Sequence, residues 1–246
     1  MLARTVDPET LDGLAADDPA AQRSRRDLRW IHRAMGTRAI VRRALRDITA
    51  SRRAVTPLRI LELGAGDGSL MLGVARSLAL RWPKVELTLL DRQPLVSRTT
   101  VRRYAELGWT ATAKVGDVFD WAASSTAAQR RGSAALRWDV IVANLFLHHF
   151  DGAALAGLLS TIAARTDRFF ACEPRRDWLA LAGSHLVGAI GANAVTREDA
   201  VLSVHAGFRS DELSQSWPAH GVEWQLQEYS AGLFSHCFRA ERLELD

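Results

Sequence analysis

One segment constrains this chain more than any other: the apolar run Leu58-Arg59-Ile60-Leu61-Glu62-Leu63 leads directly into Gly64-Ala65-Gly66-Asp67-Gly68-Ser69. A run of that length ending in glycines predicts a strand entering a tight turn. Glycine lets the backbone bend sharply and lets a ligand approach where a Cβ would clash. After Ser69, the residues Leu70, Val74 and Leu78 form a helical stripe. Strand, glycine turn and helix make half of a right-handed βαβ unit, which implies a parallel sheet covered on both faces.

The remaining pattern agrees. Strands are predicted at Val85–Leu90, closing on Asp91, at Thr110–Val115, closing on Gly116-Asp117, at Trp138–Ala143 and at Arg168–Cys172. Helices are predicted from Pro94 to Leu107, from Trp121 to Arg131 and from Gly152 to Ala164. Val222–Tyr229 and Leu233–Leu243 alternate as two strands about Ser230-Ala231-Gly232, a terminal hairpin. Before the first strand, Leu28, Ile31 and Met35, then Val41, Leu45 and Ile48, mark two amphipathic helices broken at Gly36-Thr37. Residues 1–19 read as an acidic, frayed segment. The expected fold is α/β: a doubly wound, mostly parallel sheet with a C-terminal antiparallel hairpin and N-terminal helices. With 246 residues, 48% of them hydrophobic, one compact domain is expected, divided into a helical extension, 1–53, and a ligand-binding part, 54–246.

In open sheets of this kind ligands sit beyond the carboxyl ends of the strands. Three acids fall there: Glu62, Asp91 and Asp117. The glycine spacing is G-x-G-x-G, not the G-x-G-x-x-G that cradles a dinucleotide pyrophosphate. Glu62 in front of the loop would repel pyrophosphate and suits an ammonium or sulfonium ligand. Asp91 is placed to accept ribose hydroxyls, and Asp117, with Val118 and Phe119, to meet an adenine ring.

With these residues the chain resembles the class I S-adenosylmethionine-dependent methyltransferases over residues 58–173. The resemblance implies a seven-stranded sheet ending in an antiparallel hairpin, and S-adenosylmethionine as cofactor. It implies that Glu62, Gly64, Ala65, Gly66 and Gly68 wrap the methionine part, that Asp91 holds the ribose, and that Gly116-Asp117 meets the adenine, with Arg92 and Val118 in the same cofactor set. Asn144, ending the fourth strand, joins this cofactor set. The segment Asn144-Leu145-Phe146-Leu147-His148-His149-Phe150 is similar to that of small-molecule methyltransferases of the quinone-biosynthesis type. Those histidines line the cofactor and acceptor pocket. A hydroxyl acceptor needs its proton removed, and imidazole is the usual base near neutral pH, so His148 and His149 are the catalytic candidates, with no choice between them.

The same segment is not N-P-P-Y, and no Pro-Cys pair stands here; both absences argue against nucleic-acid and amide-nitrogen acceptors. Material after the fifth strand normally covers the acceptor. Trp178 to Thr196 carries no Asp, Glu, Lys or Arg, and reads as a buried or pocket-lining helix with loose membrane contact left open. His185, Asn193 and Arg197 from this region, with Trp30 and Met35 from the first helix, are the expected substrate-binding residues. The expected partner is a hydrophobic or aromatic small molecule, methylated on oxygen or carbon.

Charge leaves two alternatives open. Residues 20–53 hold eleven arginines against Asp27 and Asp47, which suits an RNA or protein methyltransferase as well as a solvated face. A non-catalytic cofactor-binding partner protein is the other. Cys172 and Cys237 form no metal-ligand spacing and no disulfide framework, so no metal is expected and a reducing, cytoplasmic setting is. The N-terminus has acids and no apolar run, so no signal peptide is expected.

Overall fold

The computed structural model describes residues 2–50, 57–82, 84–123, 137–218 and 223–243. Seven strands form one sheet: β1 (Leu58–Leu63), β2 (Val85–Asp91), β3 (Trp109–Val115), β4 (Val140–Asn144), β5 (Arg168–Pro174), β6 (Trp224–Ala231) and β7 (Ser235–Arg242). Their order is β3-β2-β1-β4-β5-β7-β6. The first five run parallel, while β7 is antiparallel to both β5 and β6. The chain builds outward from β1 in one direction and from β4 in the other, so a crevice opens at the carboxyl ends of β1 and β4.

The helices of the described residues include α1 (Thr10–Gly13), α2 (Pro19–Ala34), α3 (Thr37–Ile48), α4 (Ser69–Leu78), α5 (Arg98–Ala105), α6 (Gly152–Arg165), α7 (Trp178–Leu186), α8 (Ala194–Ala206) and α9 (Glu212–Ser216). Neighbouring residues of β1 feed opposite faces. Ile60 packs with Val41, Leu45 and Ile48 of α3 and Met71 and Val74 of α4. Leu61 and Leu63 pack with Leu155, Leu159 and Ile162 of α6 and with Phe169 and Phe238. Full burial of each such side chain contributes roughly 1.5–3 kcal/mol. The helix α3, read from sequence as part of an extension, therefore belongs to the main core; the expected boundary at 53/54 lies outside the described residues.

Several expected boundaries move. The helix expected from Pro94 begins after Ser97, whose side chain accepts the Thr100 N–H at 3.0 Å. Residues 118–123 are helical, and most of the helix expected at Trp121–Arg131 lies outside the described residues. The fourth strand starts two residues late, at Val140, because Trp138 makes only an isolated bridge to Thr166. The hairpin turns at residues 232–234, with Gly232 at φ 64. Residues 2–14 are not frayed. Arg4 donates to the carbonyls of Ala206 (2.8 Å) and Phe150 (2.9 Å), and the Thr10 and Leu11 N–H groups donate to Asp199 at 2.8 and 2.9 Å.

Candidate functional site

A cleft of about 760 Å³ lies over the carboxyl ends of β1, β2 and β4, roofed by residues 6–13 and by α2. Glu62, Gly64, Ala65, Gly66, Asp91, Arg92, Asp117, Val118, Asn144, His148 and His149 all line it. Gly68 does not; it is the N-cap of α4, and Tyr104 donates its hydroxyl to the Gly68 carbonyl at 2.7 Å.

The loop after β1 is held to the end of β2. The Ala65 N–H donates to the Leu90 carbonyl at 3.1 Å and the Gly66 N–H to Asp91 Oδ2 at 2.7 Å. Asp91 Oδ1 accepts the Gln93 N–H at 2.8 Å, so this carboxylate shapes both loops that border the cleft. Each oxygen keeps a lone pair for a further donor. Asp117 likewise accepts the Phe119 N–H at 2.7 Å, closing its own turn.

Glu62 is different. It is 2% exposed, and its Oε2 is buried with no hydrogen-bond partner. Burial, then the charges of Asp67 and Asp91, push its carboxyl well above the ordinary carboxylate range. Asn144 Oδ1 and His32 Nε2 are also buried without partners, and both residues line the same cleft. Burial holds the His32 imidazole down at about 4, with Asp67 opposing. Buried polar atoms are nearly always paired, and three such atoms around one cleft are positions a polar ligand could satisfy.

Beyond Asn144 the chain is strained: Leu145 takes φ 49, a left-handed conformation that costs a residue with a Cβ roughly 1–2 kcal/mol. That turn aims the next backbone N–H groups at the end of β5. Glu173, fully buried, accepts from the N–H groups of Phe146 (3.1 Å), Leu147 (3.0 Å) and His148 (3.4 Å). It also lies 2.8 Å from His148 Nδ1. On the other side His148 Nε2 stands 3.2 Å from Glu9 Oε1. Burial pulls the His148 imidazole down, but hydrogen bonds to Glu173 and Glu9 and their charges outweigh it and lift it to about 9. His149, its ring 4.2 Å from that of His148, is pushed down by burial and by its neighbour. Its Nδ1 lies 3.7 Å from Asp12 Oδ2. Phe146 and Phe150 meet edge-on at 5.2 Å beside the pair.

The residues expected to hold the substrate lie elsewhere. Trp30, Met35, His185, Asn193 and Arg197 are not among those lining the cleft. Asn193 caps α8, accepting the Thr196 N–H at 3.0 Å, and its amide donates to Ser24 at 2.9 Å. The Arg197 chain packs over Gly188, and His185 is exposed. The uncharged stretch is α7 followed by a short turn. It buries only Ala180 and Ser184 of α7, leaves Trp178 75% exposed, and does not line the cleft. Among the described residues no helix is long and apolar enough to cross a membrane.

Three acids grouped around His148 and His149 escaped the sequence reading. Glu173 ends β5 next to β4, so the acid-at-a-strand-end signal that picked out Asp91 applied to it too. Glu9 and Asp12 carried no signal, because only docking of the N-terminal segment brings them to the histidines. Of the eleven arginines in residues 20–53, Arg25 and Arg29 line the cleft and bond to Gln93 (2.7 Å) and Asp67 (3.0 Å).

The strand order, the reversed seventh strand and the glycine loop at the switch point define the class I methyltransferase fold. Its solved neighbours include the plantazolicin methyltransferase BpumL in complex with SAH, at TM-score 0.62 and 14% identity, covering 92% of this chain and 91% of that one. An O-methyltransferase family protein from Burkholderia thailandensis aligns at TM-score 0.61 and 16% identity, over 92% of this chain and 61% of its own. The mitomycin 7-O-methyltransferase MmcR aligns at TM-score 0.53 and 20% identity, over 95% and 60%. No protein-family model and no curated protein sequence matches the chain.

Proposed function

We propose that this protein binds S-adenosylmethionine in the cleft and directs its methyl group to a small hydrophobic or aromatic acceptor, on oxygen or carbon. One observation carries the reading: the buried, unpartnered Oε2 of Glu62, beside the charges of Asp67 and Asp91, is a site made for a cation. The cofactor brings an ammonium and a sulfonium, whereas a dinucleotide brings pyrophosphate. Neighbours of the same fold act on small molecules, and one of them is complexed with SAH.

In this reading Glu62, Asn144 and the loop from Gly64 to Asp67 receive the amino-acid end, while Gly68 turns the chain into α4. Asp91 and Arg92 receive the ribose, and Asp117 and Val118 the adenine. When bound, the cofactor supplies a methyl on a positive sulfur, open to in-line displacement by an acceptor lone pair. Holding two reactants in line contributes roughly 7–11 kcal/mol, and this chain's share of that lies in its rigid strand ends. His148 and His149 are the catalytic pair, standing at the acceptor end of the cleft with Phe146 and Phe150 as the apolar wall. Glu173 positions the pair through the backbone and Nδ1.

Calorimetry with S-adenosylmethionine, its demethylated product and NAD tests the reading. The first two bind and the third does not. Tight binding of NAD alone would overturn it.

A further inference from the structure

We infer that Glu9, His148 and His149 form a binding site for a divalent transition-metal ion of the zinc class, with one coordination position open to the cleft. The inference stands apart from the methyl-transfer reading, since it concerns binding of the ion alone.

The starting point is a buried histidine held between two carboxylates. Glu173 is a buried carboxylate that receives three backbone N–H groups and lies 2.8 Å from His148 Nδ1. A carboxylate accepts, so Nδ1 carries a hydrogen toward Glu173, which fixes the ring and aims Nε2 outward. What Nε2 meets, at 3.2 Å, is another acceptor, Glu9 Oε1. In a buried place that contact holds either a second proton on Nε2 or a metal ion bound by both atoms. A proton would serve that one pair; the third group decides for an ion.

His149 brings a ring nitrogen near this pair. One ligand atom from each of Glu9, His148 and His149 lies within 4.8 Å of the others. Tetrahedral zinc with bonds of about 2.0–2.1 Å sets its ligand atoms about 3.3 Å apart. The Glu9–His148 separation already matches that edge. The His149 atom has to close by at most about 1.5 Å to complete a face, and this side chain is 22% exposed, with room to move.

The outer shell is that of a metal centre. A histidine ligand that gives its other nitrogen to a carboxylate has its ring orientation and tautomer set by that bond; His148 and Glu173 have this arrangement. Ser203 donates its hydroxyl to Glu9, and Asp12 Oδ2 faces His149 Nδ1 at 3.7 Å. Two imidazoles and one carboxylate are a ligand set of zinc sites that keep a fourth position for water or substrate. All three residues line the cleft, so the fourth ligand comes from there. Its chemistry is that of an oxygen or sulfur lone pair: a water, a hydroxyl or a thiol.

The test uses the full-length, tag-free protein, stripped with a chelator, desalted and titrated with Zn²⁺ by calorimetry and with Co²⁺ by visible absorption. The parent binds one ion per chain, its melting temperature rises with Zn²⁺, and Co²⁺ develops the absorption of a low-symmetry four- or five-coordinate site. Glu9→Gln and His149→Ala, neither in the hydrophobic core, keep the parent's circular dichroism. Each weakens Zn²⁺ binding at least tenfold and abolishes the cobalt bands. Absence of a stoichiometric ion in the parent overturns the inference, as does unchanged affinity in both folded variants. Either result leaves a shared proton between His148 and Glu9. Neither bears on cofactor binding, which calorimetry with S-adenosylmethionine reads independently.

Discussion

Replacing Gly64 by alanine separates backbone strain from collision at the mouth of the cleft. Gly64 has φ 66, and a Cβ there would lie 2.4 Å from Cδ2, 3.0 Å from Cγ and 3.2 Å from Cβ of Phe146. These atoms sit near the root of that side chain, so no swing of a flexible tip relieves them. Gly66 supplies the control: its φ is 55, yet an added Cβ meets nothing within 4 Å. Both substitutions carry the left-handed strain of roughly 1–2 kcal/mol. Only Gly64→Ala adds overpacking, typically 1–3 kcal/mol. The expected losses are about 1–2 kcal/mol for Gly66→Ala and about 2–5 kcal/mol for Gly64→Ala. Domains of this kind have roughly 5–15 kcal/mol to lose, so both variants should fold in the cold. Urea unfolding followed by tryptophan fluorescence gives the two values. The damage at Gly64 should also spread, because the Phe146 N–H is bonded to Glu173 at 3.1 Å and so tied to His148. If Gly64→Ala proves no less stable than Gly66→Ala, the close approach of the two loops is wrong.

Further outcomes follow from single groups. Glu62→Gln should weaken S-adenosylmethionine binding by roughly 1.5–3 kcal/mol, the scale of a hydrogen bond to a charged group. Because Glu62 sits above its usual range in the free protein and a bound cation favours its carboxylate, binding should release a proton and tighten as pH rises above the ordinary carboxylate value of 4.5; the variant should lose that slope in calorimetry across several buffers. Asp91→Ala should cost a similar 1.5–3 kcal/mol in cofactor affinity and also loosen the loop whose Gly66 N–H it accepts at 2.7 Å, visible as faster amide exchange there; unchanged affinity would remove it from the ribose site. His32 titrates near 4 in the folded chain against 6.5 ordinarily, so stability should be full above pH 6.5 and fall as pH drops toward 4. The loss is up to about 3 kcal/mol, and unfolding curves of His32→Phe should show it flattened.

What was legible in the sequence was local. The β1 run, the glycine spacing after it, and the acids Glu62, Asp91 and Asp117 at three strand ends are read within a few residues of one another. Backbone period and turn chemistry are properties of neighbours, and parallel βαβ units leave strand ends on one side. Boundaries were less legible where a side chain competes for the backbone, as Ser97 does by capping α5 three residues after Pro94. The substrate-side expectations rested on composition, which says that a helix carries Asn193 or His185 but not which way each one faces. Only the tertiary structure decided that Asn193 caps α8, that α7 turns Trp178 to solvent, and that residues 6–13 roof the cleft. It alone set Glu9 against His148, 139 positions away along the chain. That contact follows from how the N-terminal segment docks on Asp199, Phe150 and Ala206, each bond weak by itself and none with a period or motif that marks it in one dimension.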